Sequence, residues 1–203
     1  GLRLFNTDAE NLFIEFINEY PESPKVKNAY FYLGTYHFRR KKHDEALAWF
    51  AKIDAYDLSQ EELAEYHFKK GYSYFMNENY DAASKEFYEI KDVDNKYAAP
   101  AKYYYAHIAY LQKKYESSLE TFLQLNSNPK FSPITPYYIT QIYYLQNKYE
   151  KLIEYAPALL DTAIPKRTPE IARLIGEAYY RTKKFNEAIP YLKRYQKEKP
   201  YEA

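Results

Sequence analysis

The chain has 203 residues and a net charge of +1 at neutral pH, so no global field exists to gather nucleic acid or an anionic membrane. It contains no cysteine, which excludes a disulfide framework and thiolate chemistry. With only 4 Gly and no strand-like alternation bounded by turn dipeptides, the pattern reads as all-α.

From about Asn6 to Tyr20, Ala9, Phe13 and Phe16 mark one helix that ends at Pro21 and has no partner helix before it. The next stretch, Ala29 to Ile53, reads as two short amphipathic helices around a basic turn. In its first half Tyr30, Leu33, Gly34 and His37 fall three or four apart, on one side of a helix. Arg39 to Lys42 break the apolar pattern, and Asp44 is placed to cap a second helix that shows Ala46, Trp49, Phe50 and Ile53 on one face. A helical Gly costs about 1 kcal/mol against Ala, so Gly34 points to close approach of a neighbouring helix. A second pair spans Ser59 to Val93, with a capping box at Ser59–Glu62, and a third runs from Lys96 to Asn126.

Pro129, Pro133 and Pro136 crowd the following link, so the fourth first helix starts near Ser132 to Pro136. Its second helix, Glu150 to Asp161, carries Pro157 inside it and is expected to kink or split there. Pro165 and Pro169 lead into a fifth pair, Glu170 to Lys199, where Pro190 is expected near the first turn of the second helix. Pro200 closes that pair and Tyr201 is expected to begin another. Neither end shows the polar cap that soluble repeat arrays need, which leaves both open to self-association.

Four landmarks keep step along the chain. The small or short residues Gly34, Gly71, Ala106, Thr140 and Gly176 are separated by 37, 35, 34 and 36 residues. The same intervals separate His43, Tyr80, Tyr115, Tyr149 and Phe185; Ala46, Ala83, Ser118, Leu152 and Ala188; and Phe50, Phe87, Phe122, Ala156 and Leu192. At these residues the chain resembles the tetratricopeptide repeat family, helix–turn–helix units of about 34 residues. The resemblance implies an all-α, right-handed superhelical solenoid of antiparallel helix pairs, with about 11 helices. Its expected divisions are a half repeat over 1–24, repeats over 25–58, 59–94 and 95–129, a divergent repeat over 130–164 and a last repeat over 165–200. Pro157 inside its second helix, together with Thr140 in place of Gly or Ala, sets the fourth apart. The link from Glu15 to Gly34, an aromatic-Pro-x-Ser-Pro segment followed by Ala29 and Leu33-Gly34, is similar to links in exported bacterial members, including outer-membrane assembly lipoproteins and cell-division coordinators. That likeness points to a periplasmic or outer-membrane-associated protein, while the opening half repeat and the uncapped ends point to a fragment of a longer array.

In such arrays the first helix of each pair lines the concave side. Residues beside its packing stripe are then Phe31, Thr35 and Phe38; Phe68, Tyr72 and Phe75; Tyr103, His107 and Tyr110; Tyr137, Gln141 and Tyr144; and Arg173, Glu177 and Tyr180. Most are Phe or Tyr, against one residue in five over the whole chain. The expectation is an aromatic groove that binds a protein or peptide, with Tyr72, Phe75, Tyr103 and Tyr110 central. Rings there bring large contact area at low side-chain entropy, and one or two should be worth about 2 kcal/mol or more each. The alternatives are a groove that stacks on carbohydrate or peptidoglycan, and a structural spacer whose rings pack only on one another. Peptide-binding members that grip a C-terminal carboxylate use Lys, Asn and Arg. At the matching places this chain has Phe31, Thr35, Phe68 and Lys69, of which only Lys69 suits, so a chaperone-tail adaptor is disfavoured.

Other chemistry is poorly supplied. His37, His43, His67 and His107 never reach metal-ligand spacing with a second His, and His37 and His43 stand where packing rings are expected. Glu61, Glu62 and Glu65 suit a helix N-terminus. The basic turns Arg39 to Lys42, Lys113-Lys114 and Lys183-Lys184 suit helix C-termini. No phosphate loop or nucleophile motif appears, so neither cofactor nor catalysis is expected. The longest apolar run, Tyr103 to Leu111, is far short of the roughly 20 residues that cross a bilayer.

Overall fold

The computed structural model describes residues 7–199, and among these it is all-helical, with eleven α-helices and no strand. They are α1 (Thr7–Glu19), α2 (Val26–Arg39), α3 (His43–Phe50), α4 (Gln60–Met76), α5 (Tyr80–Ile90), α6 (Ala98–Leu111), α7 (Tyr115–Gln124), α8 (Thr135–Leu145), α9 (Tyr149–Tyr155), α10 (Thr168–Arg181) and α11 (Phe185–Glu198). Short 3-10 turns occupy Ala55–Asp57, Pro157–Leu159 and Pro165–Arg167. The expected start at Asn6, the stop at Pro200, the new start at Tyr201 and the state of both ends lie outside the described residues. The chain divides into two compact units, one up to Tyr105 and one from Ala106. No described helix is long and apolar enough to cross a membrane.

Each first helix turns into its second through one left-handed residue. Lys41, Glu78, Lys113, Asn147 and Lys183 have φ between 55° and 63° and repeat at the intervals of the sequence landmarks. At the first of these turns the Lys41 N–H donates to the Phe38 carbonyl and the Lys42 N–H to the His37 carbonyl, each at 3.0 Å. The other four repeat this pair of bonds, which satisfies carbonyls that the helix end leaves without partners. The basic residues of the turns therefore close helices as well as meet solvent. Asp44 is not a cap: Lys42 holds the N-cap position of α3 without a side-chain bond. Asp44 stands in the first turn and accepts from Asn77 Nδ2 at 2.6 Å. The box at Ser59 is present, with Glu62 Oε2 accepting from the Ser59 N–H at 3.0 Å.

Pair packing follows the small residue. A Cβ on Gly34 would lie 2.5 Å from Phe50 Cε1, and one on Gly71 would lie 3.0 Å from Phe87 Cε1. Phe50 and Phe87 are fully buried beneath these backbones. In the fourth pair the sizes are exchanged: Thr140 takes the glycine position, Ala156 the ring position, and both are fully buried. Between pairs, the second-helix ring stacks on a tyrosine of the next first helix. Phe87 lies 5.4 Å from Tyr104 at 15°, and Phe122 lies 4.9 Å from Tyr138 at 8°. At the equivalent place α4 carries Lys69, and Tyr66, one turn earlier, meets Phe50 edge-on at 5.7 Å instead.

Proline acts as expected at Pro157, where α9 stops at Tyr155 and a 3-10 turn follows. Pro190 is a correction, because it falls in the second turn of α11, which continues to Glu198. There it removes the donor that the Asn186 carbonyl would otherwise receive.

Candidate functional site

In the first unit the predicted groove residues mostly hold one another. Phe31, only 7% exposed, joins the core with Ala46, Phe50, Ile53 and Tyr66 rather than lining a face. Thr35 is buried as well. Phe38 is half-buried and meets Tyr72 edge-on at 5.6 Å. Tyr72 in turn meets Tyr104 at 5.3 Å. Phe68 stacks on Tyr97 at 5.0 Å, Phe75 lies 5.1 Å from Tyr104, and Tyr103 meets Tyr104 edge-on at 5.4 Å. Rings at i, i+4 and i+7 of one helix reach the next first helix because i and i+4 share a face.

Among these rings lies a buried ion pair. Lys69 is 6% exposed, donates to Thr35 Oγ1 at 2.8 Å and is bonded to Glu65. Its ammonium also sits 5.5 Å from the Phe31 ring centroid and 5.9 Å from that of Phe38. Burial lowers the Lys69 pKa against the opposing pull of Glu65. Burial raises that of Glu65, but the bond and charge of Lys69 outweigh it and leave the carboxyl below its usual range. Tyr97 is pushed up to about 12 by burial and by Glu65. A charge this deep requires such partners, so Lys69, the one residue suited to grip a carboxylate, is already engaged. Its register made it legible: it stands two residues before Gly71, where Tyr104 and Tyr138 stand before Ala106 and Thr140.

The second unit arranges its first-helix faces differently. Tyr110 of α6 donates to Gln141 Oε1 of α8 at 2.5 Å, and Tyr144 of α8 donates to Glu177 Oε2 of α10 at 2.5 Å. Arg173 completes this run of polar groups, bonding Glu170 at 2.6 Å and also Glu177. His107 packs on Tyr138 at 5.2 Å, and burial together with the Arg167 charge holds its pKa below the usual value. Burial pushes Tyr110 up to about 12. Tyr137 carries the Arg167 guanidinium over its ring at 4.2 Å. Arg167 is exposed and has no ion-pair partner among the described residues. Tyr180 is 59% exposed and meets Phe185 edge-on at 5.4 Å.

Sequence reading placed Tyr110, Gln141, Tyr144 and Glu177 singly and missed their bonding. It missed Arg167 altogether, because a proline-bounded link shows no helical register. Among the described residues no three His, Asp or Glu side chains are grouped to hold a metal.

The family model for the tetratricopeptide repeat matches residues 5–62 and 143–203, more than half of the chain. Of the solved structures it resembles, YrrB, described as a tetratricopeptide protein with an unusual peptide-binding site, superposes with a TM-score of 0.71 at 14% identity. That match covers 95% of this chain and 94% of YrrB. A MamA structure designated AMB-1 gives 0.69 at 14% identity, covering 84% of this chain and 90% of the other. MamA designated MSR-1 gives 0.66 at 15% identity, covering 88% and 99%. No curated protein matches in sequence. At these identities the likenesses establish the fold, and with the family match and the five register-matched turns they lead to one assignment: the chain belongs to the tetratricopeptide repeat family.

Proposed function

We propose that the chain is a non-catalytic scaffold that binds a protein or peptide on the aromatic faces of its first helices, within an assembly of the bacterial envelope. The observation that carries this reading is Arg167, an exposed guanidinium 4.2 Å over the Tyr137 ring with no carboxylate of its own among the described residues. A cation held over a ring, beside Tyr110 and His107, is prepared to meet an acidic or aromatic side chain of a peptide. YrrB, which shares the fold, is described as having a peptide-binding site. The envelope placement rests on the Glu15–Gly34 link. A structural role for the rings is the second reading, and the first unit favours it, since Phe31 is in the core and Phe38, Tyr72, Phe68 and Phe75 each rest on another ring.

The test is capture from native envelope and soluble fractions by wild type and by Arg167→Ala/Tyr137→Ala, after circular dichroism shows that both fold. A partner held by wild type and lost by the folded variant places binding on the second unit. Identical captures by both proteins remove the reading.

A further inference from the structure

We propose that the link edge of the first unit, where α1 joins α2, α3 joins α4 and α5 joins α6, binds a basic amphipathic helix of a partner protein. Three exposed apolar residues, Tyr20, Tyr56 and Val93, are the rungs it lies on. This surface is separate from the first-helix faces described above.

Tyr20, Tyr56 and Val93 are 56%, 98% and 54% exposed. Each stands just past a second helix, and they are 36 and 37 residues apart, the interval of the repeat. A single exposed apolar residue is ordinary, but the same exposure at three successive repeats makes a continuous feature. Ion pairs hold the links side by side. Lys27, past the first link, bonds Asp57 of the second, and Glu61, past the second, accepts from Lys96 of the third at 3.4 Å. In the second unit the register of Val93 carries Asn128 and Thr162, so the apolar ladder belongs to the first.

Carboxylates flank every rung. Glu19 and Glu22 lie beside Tyr20, Asp54 and Asp57 beside Tyr56, and Asp92 and Asp94 beside Val93, all of them exposed. Lysines of the chain pair with two of these, Lys27 with Asp57, and Lys91 and Lys102 with Asp92. Glu19, Glu22, Asp54 and Asp94 have no ion pair among the described residues, and Asp54 accepts only from the Tyr56 N–H at 3.1 Å. At the third rung a cleft of about 420 Å3 opens between Glu61 and Ala64 of α4 and Val93, Asp94 and Tyr97 of the link. Its apolar and acidic walls suit the stem and the charged head of a lysine or arginine.

An apolar line with negative charge on both sides is complemented by an apolar stripe with cations on both sides. Packed helices lie about 8–10 Å apart, and α2 and α4 touch directly where Lys69 donates to Thr35, so successive rungs are about 10 Å apart. A helix rises about 10.5 Å in seven residues and returns to nearly the same face. Such a helix therefore sets one apolar residue on each rung and its basic residues against the flanking carboxylates. The ladder runs in the direction in which the helix pairs stack. A further helix stacked before α1 would lengthen it without covering it.

The probe is a side-chain-crosslinked helical peptide of about 18 residues, with Leu at every seventh position, Lys on both flanks and Ala elsewhere. One control replaces Lys by Glu, and another keeps the composition in scrambled order. Fluorescence anisotropy follows their titration with the whole chain at low and at physiological salt. The expected result is saturable binding of the Lys peptide alone, weakened about tenfold or more by Tyr56→Ala and likewise by Glu22→Lys/Asp94→Lys, and falling as salt is raised. All three residues are exposed, so these variants should melt as wild type does. Failure of the Lys peptide to bind, equal binding of the scrambled peptide, or binding indifferent to both variants overturns the proposal. So does a dimer in light scattering that Tyr56→Ala dissociates, or peptide binding that a longer form of the chain abolishes, because the ladder would then belong to a second copy or to the chain itself.

Discussion

A methyl group added at Gly34 would meet the fully buried Phe50 ring at 2.5 Å, closer than real Cβ contacts come, so something must shift. Gly34→Ala should therefore destabilise the protein by about 1–3 kcal/mol, overriding the gain of about 1 kcal/mol in helix propensity. At Gly71 the same addition meets Phe87 at 3.0 Å, a contact that a few tenths of an ångström relieve. Gly71→Ala should stay within about 1 kcal/mol of wild type by the same balance. Urea midpoints of the two variants test this, and a stabilised Gly34→Ala would refute the close approach. Lys69 poses the opposite problem, a charge in place of a ring. Lys69→Tyr restores the residue type of Tyr104 and Tyr138 but strands Glu65, and should cost about 3 kcal/mol. Adding Glu65→Gln should recover part of that loss, and a double-mutant cycle showing no coupling would contradict the pairing.

Helix ends explain what was legible in the chain and what was not. The pairing of helices, the box at Ser59 and the break at Pro157 were readable, because each rests on residue chemistry that acts locally. Asp44 was misplaced because a cap is defined by backbone geometry, and Lys42 and Asp44 differ by only two positions within one turn. The helical register marks Tyr110, Gln141, Tyr144 and Glu177 but not their hydrogen bonds, since their partners lie 31 and 33 residues away. Phe31 belongs to the core, which a helical wheel cannot show because it does not say which neighbour covers a residue. The left-handed turn residues were hidden for another reason, as Lys and Glu carry no signal for positive φ. That conformation costs an L-residue about 1–2 kcal/mol, while Asn tolerates it and Gly is indifferent. Lys113→Gly should thus raise stability by up to about 1 kcal/mol after the entropy that glycine adds to the unfolded chain. Asn147→Gly, at the same place one repeat later, should gain less. Thermal melts of the two variants check the order, and an equal or reversed response would mean that φ is not what distinguishes these turns.

Across the whole molecule the titrating groups set two flanks to stability. Burial holds His37, His43 and His107 below the ordinary histidine value, partly opposed by Glu10 at His37 and reinforced by Arg167 at His107. Below about pH 6.5 the unfolded chain takes up protons that the native state does not. The stability these residues contribute is complete above that pH and is lost as the pH falls toward their depressed native values. At the alkaline side, burial pushes Tyr97, Tyr104, Tyr110 and Tyr155 up to about 12. Above about pH 10 the unfolded chain releases phenolic protons that the native state keeps, so stability falls again as pH rises. The urea midpoint should form a plateau from about pH 7 to 10 and decline on both sides. Tyrosinate absorbance should show a fraction that ionises only as the fold is lost, and the resonances of these three imidazoles should titrate below the ordinary histidine value. Tyr104→Phe keeps a ring on Phe87 and removes one of the four phenols, so it should shallow the alkaline flank and leave the acid flank unchanged. A midpoint that stays flat through the acid window would mean that the three imidazoles ionise in the native state, and that the helix pairs admit the charge their burial is argued to exclude.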